Sequence, residues 1–155
     1  MASPRLLKGR HSSVGAFYAI TTVARGRHPL FESPAMVGIV ATEIEATDEI
    51  GLSSTLAWVL MPDHLHWLLS LESGSLSALV QRFKMRSAQA INRSLDRRGS
   101  VWQAGFHDHR VRDERVLLNV ARYLLENPIR AGLASVIGEY PHAWCAWDEG
   151  KSDSR

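Results

Sequence analysis

His64-Leu65-His66 lies in the apolar, β-prone run Trp58-Val59-Leu60-Met61-Pro62-Asp63-His64-Leu65-His66-Trp67-Leu68-Leu69. Strand side chains alternate faces, so residues i and i+2 point the same way. Both imidazoles therefore leave one face, with Leu65 on the other. This is a ready pair of metal ligands on a rigid element. Farther along, Tyr123 sits in the helical pattern Val120-Ala121-Arg122-Tyr123-Leu124-Leu125-Glu126-Asn127-Pro128. A metal-binding pair and a helical tyrosine together point to phosphodiester chemistry on nucleic acid. Free tyrosine has a pKa of about 10 and attacks poorly at neutral pH unless assisted.

Context decides how much weight the pair carries. Unpartnered polar side chains in the middle of an apolar sheet are costly, so something must satisfy them. Nucleotide hydrolases of the histidine-triad kind need a third histidine two residues later, where this chain has Leu68. Two-histidine phosphoesterases need two separated His-x-Thr/Ser repeats, which are absent. Asn127 is four residues beyond Tyr123 and shares its helix face. Two readings of it stand. An amide oxygen beside two imidazoles completes a hard-cation site, and Asn followed by Pro is an N-cap and N1 pair for a further turn.

The elements that must position these groups follow from periodicity. Phe17 to Val23 reads as a strand. Ser33 to Glu49 has helical spacing at Met36, Val37, Val40 and Ile44. Thr55 to Leu60 and His64 to Leu71 read as strands whose short connection, Met61-Pro62-Asp63, requires a hairpin. Leu76, Leu79, Val80, Phe83, Ser87 and Ile91 trace one face of a helix running to about Leu95. Val101 to Val111 holds a short fourth strand. Asp113 can cap the next helix, whose expected buried stripe is Val116, Leu117, Val120 and Leu124. The segment from Glu139 to Trp147 shows no assignable pattern. The order β-α-β-β-α-β-α is an α+β, ferredoxin-like split βαβ arrangement. It gives a four-stranded antiparallel sheet with two helices on one face and a C-terminal tyrosine-bearing helix for the other.

The chain has 155 residues, 45% of them hydrophobic and 22% charged, which fits one domain with a substantial core. Residues 1–14 and 148–155 read as flexible tails. No apolar run reaches the roughly 18 residues of a membrane helix, and the N-terminus lacks the apolar stretch of a signal peptide. The single cysteine, Cys145, excludes an internal disulfide and a cysteine-built zinc site. A cytoplasmic protein is expected. Lysine occurs only at 8, 84 and 151, so fifteen of the eighteen basic residues are arginine, whose planar donor fork suits phosphate and guanine edges. From Arg82 to Arg112 there are eight basic and two acidic residues, the footprint of a nucleic-acid binder. The expected DNA contacts are Arg82, Lys84, Arg86, Arg110, Arg112 and Arg130, with Trp102 and Phe106 stacking on unpaired bases or packing in the core. Arg5, Lys8 and Arg10 could form an arm reaching a groove.

Four blocks, in order, then carry a resemblance. They are Met61 to Leu69, Phe83-Lys84-Met85-Arg86-Ser87-Ala88, Val101-Trp102-Gln103-Ala104-Gly105-Phe106-His107-Asp108-His109, and Ala121 to Leu133 with Asn127-Pro128-Ile129-Arg130-Ala131-Gly132. The chain resembles REP-associated tyrosine transposases, a branch of the single-tyrosine HUH transposases. The resemblance implies that His64 and His66 are the metal pair, Tyr123 the nucleophile and Asn127 the polar residue one turn beyond. It implies cleavage of single-stranded DNA beside hairpins of short repetitive palindromes, a 5′-phosphotyrosine link and a free 3′-hydroxyl. Mg2+ or Mn2+ suits a mixed imidazole–oxygen site that also holds phosphate. His107 and His109, alternate on one strand face, are auxiliary candidates for the metal or the phosphate. The branch implies a bacterial cytoplasmic protein, nucleoid-associated when bound, usually monomeric, although some relatives are homodimers. A non-catalytic hairpin-DNA-binding protein and a water-using metallophosphodiesterase are the competing readings.

Overall fold

A computed structural model describes residues 11–147. Its elements, in chain order, are β1 (Phe17–Val23), α1 (Pro34–Glu49), β2 (Ser53–Met61), β3 (His64–Leu71), α2 (Leu76–Leu95), β4 (His107–Val111), α3 (Leu117–Leu125), α4 (Asn127–Arg130) and β5 (Ala143–Cys145). The strands form one antiparallel sheet in the order β4-β1-β3-β2-β5. The first four have the expected ferredoxin-like arrangement. The fifth is a correction: three residues of the unassigned tail pair with the outer edge of β2, Trp144 opposite Trp58. Three residues are too few to show a periodicity, but they cover a sheet edge that would otherwise expose its backbone groups.

Local chemistry sets the boundaries. Ser33 caps α1, its hydroxyl accepting from Met36 N at 3.3 Å, with Pro34 as the first helical residue. Ser75 caps α2 by accepting from Ala78 N at 3.1 Å. The expected cap Asp113 accepts from Arg115 N at 3.0 Å, but it opens a 3-10 turn, Glu114–Val116. That turn delays α3 and rotates its phase. The buried stripe is consequently Leu117, Ala121 and Leu124; Val120 is half-buried and Val116 is exposed, contrary to expectation.

Two apolar cores lie on opposite faces of the sheet. On one, α1 and α2 cover Tyr18, Ile20, Leu60, Leu65, Trp67 and Leu69. On the other, α3 packs Leu117, Ala121 and Leu124 on Ala57, Val59, Met61, Leu68 and Val111. The alternation of β3 thus delivers odd-numbered residues to the α1/α2 side. His64 and His66 go to the α3 side. Among the described residues no helix is long and apolar enough to cross a membrane.

Residues 1–10, with Arg5, Lys8 and Arg10, lie outside the described residues, as do residues 148–155. Residues 11–14, expected to belong to a tail, are tied down instead. Ser12 Oγ accepts from Leu76 N at 3.0 Å, and Ser13 N donates to the Tyr18 hydroxyl at 2.8 Å.

Candidate active site

The β2–β3 hairpin turns through Pro62 and Asp63, with Met61 opposite His64. The turn is held from outside by two backbone bonds, Ala24 N to Asp63 O at 2.9 Å and Phe31 N to Pro62 O at 3.0 Å. His64 therefore starts β3 from a fixed point. Its ring lies 4.7 Å from that of His66, edge to face. The Asp63 Oδ1 is 2.6 Å from His64 Nδ1. A carboxylate only accepts, so the His64 Nδ1 carries a proton, and the neutral ring has its lone pair on Nε2. Burial alone would raise the Asp63 carboxyl, but hydrogen bonds from His64 and Arg27 outweigh it and hold the group below the usual carboxylate range.

His66 faces Thr21 across the β1–β3 ladder, with Nδ1 3.0 Å from Thr21 Oγ1. When that hydroxyl accepts, Nε2 is again left for another partner. Burial, reinforced by the nearby charges of His64 and Arg130, pushes the His66 pKa down to about 4. His66 is thus neutral at physiological pH, the form that ligates metals. Both imidazoles leave a nitrogen on one sheet face, oriented by a second partner on the other nitrogen, as metal-binding histidines commonly are. Among the described residues no group of three or more His, Cys, Asp or Glu side chains converges as a metal site. The donors that could hold a cation are the two imidazoles and an oxygen supplied from α3 or α4.

That oxygen is within reach of the same cleft. A cavity of about 650 Å³ is lined by His66, His107 and His109 from the sheet and by Asn119, Tyr123 and Asn127 from the helices above it. Tyr123 flanks the buried stripe of α3, as expected, and is 65% exposed. Asn127 does not cap. Glu126 takes the N-cap position of α4 without a side-chain bond. The Asn127 amide nitrogen instead donates to Leu124 O at 2.8 Å, so capping makes no demand on its oxygen. His107 pairs with Thr21 on the far side of β1, in one row with His66. His109 pairs with Ala19, one row along. His107 and His109 therefore share the sheet face of His64 and His66.

The basic candidates divide. Arg130 belongs to the site: its guanidinium carbon lies 3.9 Å from the centre of the Tyr123 ring. Arg82, Lys84 and Arg86 are on α2, across the sheet from Tyr123. Lys84 is turned inward, donating to Gln103 O at 2.7 Å and Gly105 O at 2.5 Å, and burial pushes its pKa down to about 8. It props the loop before β4. Arg86 pairs with Glu43 at 3.0 Å and Arg82 is half-buried. Arg110, half-buried on edge strand β4, pairs with Tyr18 and so leaves the strand on the α1/α2 face, and Arg112 is exposed just beyond the strand. Trp102 and Phe106 are 7% and 5% exposed. Trp102 stacks on Phe31 and donates to the buried Ser87 hydroxyl at 3.0 Å. Base stacking by either ring is replaced by a core role. Thr21, Asp63 and Asn119 were not singled out from the sequence. Only Asp63, adjacent to His64, offered a signal there; the other two require the strand register and the helix phase.

The family model for IS200-like transposases matches residues 13–127. The chain belongs to this family. It is 27% identical over 100 residues to a Haemophilus influenzae protein assigned provisionally as a REP-associated tyrosine transposase, covering 57% of each chain. It is 24% identical over 87 residues to the REP-associated tyrosine transposase of Escherichia coli K12, covering 55% of this chain and 50% of that one. The match thus spans about half the length of these relatives. A REP-associated tyrosine transposase solved bound to a REP hairpin superposes with a TM-score of 0.77 at 20% identity, over 92% of this chain and 84% of that chain. A candidate transposase from Deinococcus radiodurans superposes with a TM-score of 0.54 at 19% identity, over 76% and 94%. These two likenesses show the shared fold.

Proposed function

We propose that this IS200-like transposase is a single-strand DNA endonuclease and strand transferase of the REP-associated kind, acting beside a palindromic hairpin with Tyr123 as nucleophile. One observation carries the reading: Tyr123 and Asn127 hang over the sheet face that bears His64 and His66, and they line one cleft with His66. Two relatives by sequence, from Haemophilus influenzae and Escherichia coli, bear the name REP-associated tyrosine transposase, the first provisionally, which supports this reading.

His64 and His66 would hold a divalent cation through their outward nitrogens, with the Asn127 oxygen available as a third donor. When bound, Mg2+ or Mn2+ supplies charge neutralisation at the scissile phosphate. The chain's own residues do the rest. Asp63 and Thr21 hold the two rings in place. The Tyr123 phenol gives up its proton, its oxygen bonds to phosphorus, and the bond from phosphorus to the 3′-oxygen breaks. That oxygen takes up a proton, leaving a 3′-hydroxyl and a 5′-phosphotyrosine. Reversal by another 3′-hydroxyl rejoins strands without ATP. His107 and His109, exposed on the edge strand at the cleft, are placed to contact the entering backbone. Arg110 and Arg112 continue this path around β4 toward α2, where a hairpin stem would meet Arg86.

The test uses a hairpin oligonucleotide with a labelled single-stranded flank. Cleavage that needs magnesium or manganese, leaves a 3′-hydroxyl and retains the 5′ fragment on the protein is expected. A free 5′-phosphate product from the first turnover favours water as nucleophile. Binding without cleavage under all metals favours a hairpin-binding protein.

A further inference from the structure

We propose that Arg130 is a positioning residue for Tyr123, its guanidinium lying on the phenol ring and fixing the direction in which the hydroxyl enters the cleft. This rests on the reading of Tyr123 as nucleophile and goes beyond it, since Arg130 was expected only to meet DNA.

A nucleophile must be held in an attack geometry, and this one is not held by packing. Tyr123 as a residue is 65% exposed on the flank of α3. Arg130 supplies the missing constraint. Its guanidinium carbon is 3.9 Å from the ring centre, within the range of a cation–π contact. Nη2 donates to the Tyr123 carbonyl at 2.7 Å, and Nη1 lies 3.5 Å from Glu126 Oε1. The guanidinium is therefore anchored to the backbone of the residue whose ring it covers and to the junction between the helices.

The junction makes this reach dependable. Seven residues separate Tyr123 from Arg130, about 10 Å along a continuous helix. Here the chain pauses at Glu126 and restarts at Asn127-Pro128. Ile129 N and Arg130 N both donate to Glu126 O at 3.0 Å, which fixes the Arg130 backbone against the end of α3. A long side chain then folds back over the ring. Lysine cannot substitute fully, because a point ammonium does not lie flat on a ring while donating to the Tyr123 carbonyl and keeping a second nitrogen toward Glu126.

The placement also suits the chemistry. As the phenolic O–H bond breaks and the O–P bond forms, negative charge grows on the phenol before phosphorus accepts it. The proton leaves to solvent while the departing 3′-oxygen gains one. A permanent cation on the ring face favours that charge.

The experiment is single-turnover adduct formation on a hairpin oligonucleotide, with magnesium present and protein saturating, for wild type, Arg130→Gln and Arg130→Lys. Arg130→Gln should slow the saturated rate about tenfold, equivalent to about 1.4 kcal/mol. Hairpin affinity and its salt dependence should not change, and Arg130→Lys should recover only part of the rate. Thermal melts of each variant check that the fold is retained; should Arg130→Gln melt early, Arg130→Lys carries the test through its own partial rate loss. An unchanged saturated rate in both variants overturns the proposal while leaving Tyr123 as nucleophile. Weaker binding with a salt slope reduced by about one and an unchanged saturated rate also overturns it, and makes Arg130 a phosphate contact. No adduct from wild type removes the nucleophile reading and this inference together.

Discussion

Removing the acceptor beneath Trp102 separates a core residue from a DNA contact. Ser87 is fully buried on α2, donating to Phe83 O at 2.7 Å and accepting from Trp102 Nε1 at 3.0 Å. Ser87→Ala leaves the helix backbone bonded but strands a buried indole N–H. An unsatisfied buried donor costs about 1–3 kcal/mol, and alanine returns a few tenths through its better helix propensity. A net loss of about 1–2 kcal/mol follows, which for a chain of this size lowers Tm by about 2–8 °C. Trp102→Phe removes the donor and should cost a comparable amount. The double variant should cost less than the two singles together, because they share one hydrogen bond. Circular dichroism melts give the stabilities, and fluorescence anisotropy of a labelled hairpin gives the affinities. Stability should fall in both variants while affinity stays level. Were Trp102 a base-stacking residue, Trp102→Phe would spare stability and Trp102→Ala would cost about 1–3 kcal/mol of binding; that outcome refutes the core assignment.

Further expectations concern the site itself. Asp63→Asn should reduce metal-stimulated cleavage about 10- to 100-fold, since the carboxylate orients His64; activity against magnesium concentration checks this. The His66 pKa of about 4 lies below its ordinary 6.5. The stability from its neutral state is complete above pH 6.5 and is lost as pH falls through 4, so metal-free wild type should lose stability over that window by more than His66→Gln in urea titrations. Arg86→Ala should change stability by less than about 1 kcal/mol, as an exposed ion pair does. If the α2 face meets the hairpin stem, the same variant lowers the salt slope of binding by about 0.7 to 0.9.

The parts of the fold that repeat were legible in the sequence. Alternation in β3 assigned His64 and His66 to one face, and the α3 pattern left Tyr123 on the flank of its stripe. The hairpin followed from the short connection between two apolar runs. What was not legible depended on a partner distant in the chain or on a shift of phase. β5 is three residues long and exists only because β2 offers an edge. The 3-10 turn after Asp113 moved Val116 out of the stripe. Trp102 could have faced either side until Phe31, Phe83 and Ser87 were brought against it. Lys84 reads as a surface cation in sequence, yet its acceptors are the carbonyls of Gln103 and Gly105, 19 and 21 residues on. The split of the basic residues between two sheet faces is a property of topology, and local charge counting could not reveal it.

The central claim is that the Tyr123 oxygen becomes bonded to DNA. The direct measurement is mass spectrometry of proteolytic peptides from a protein–DNA adduct trapped on a labelled hairpin substrate with magnesium or manganese. A nucleotide mass on the peptide containing Tyr123, and no adduct from a folded, hairpin-binding Tyr123→Phe, is the predicted result. A nucleotide on the peptide of Tyr18 or Tyr140, or cleavage by Tyr123→Phe at the wild-type rate, would contradict it.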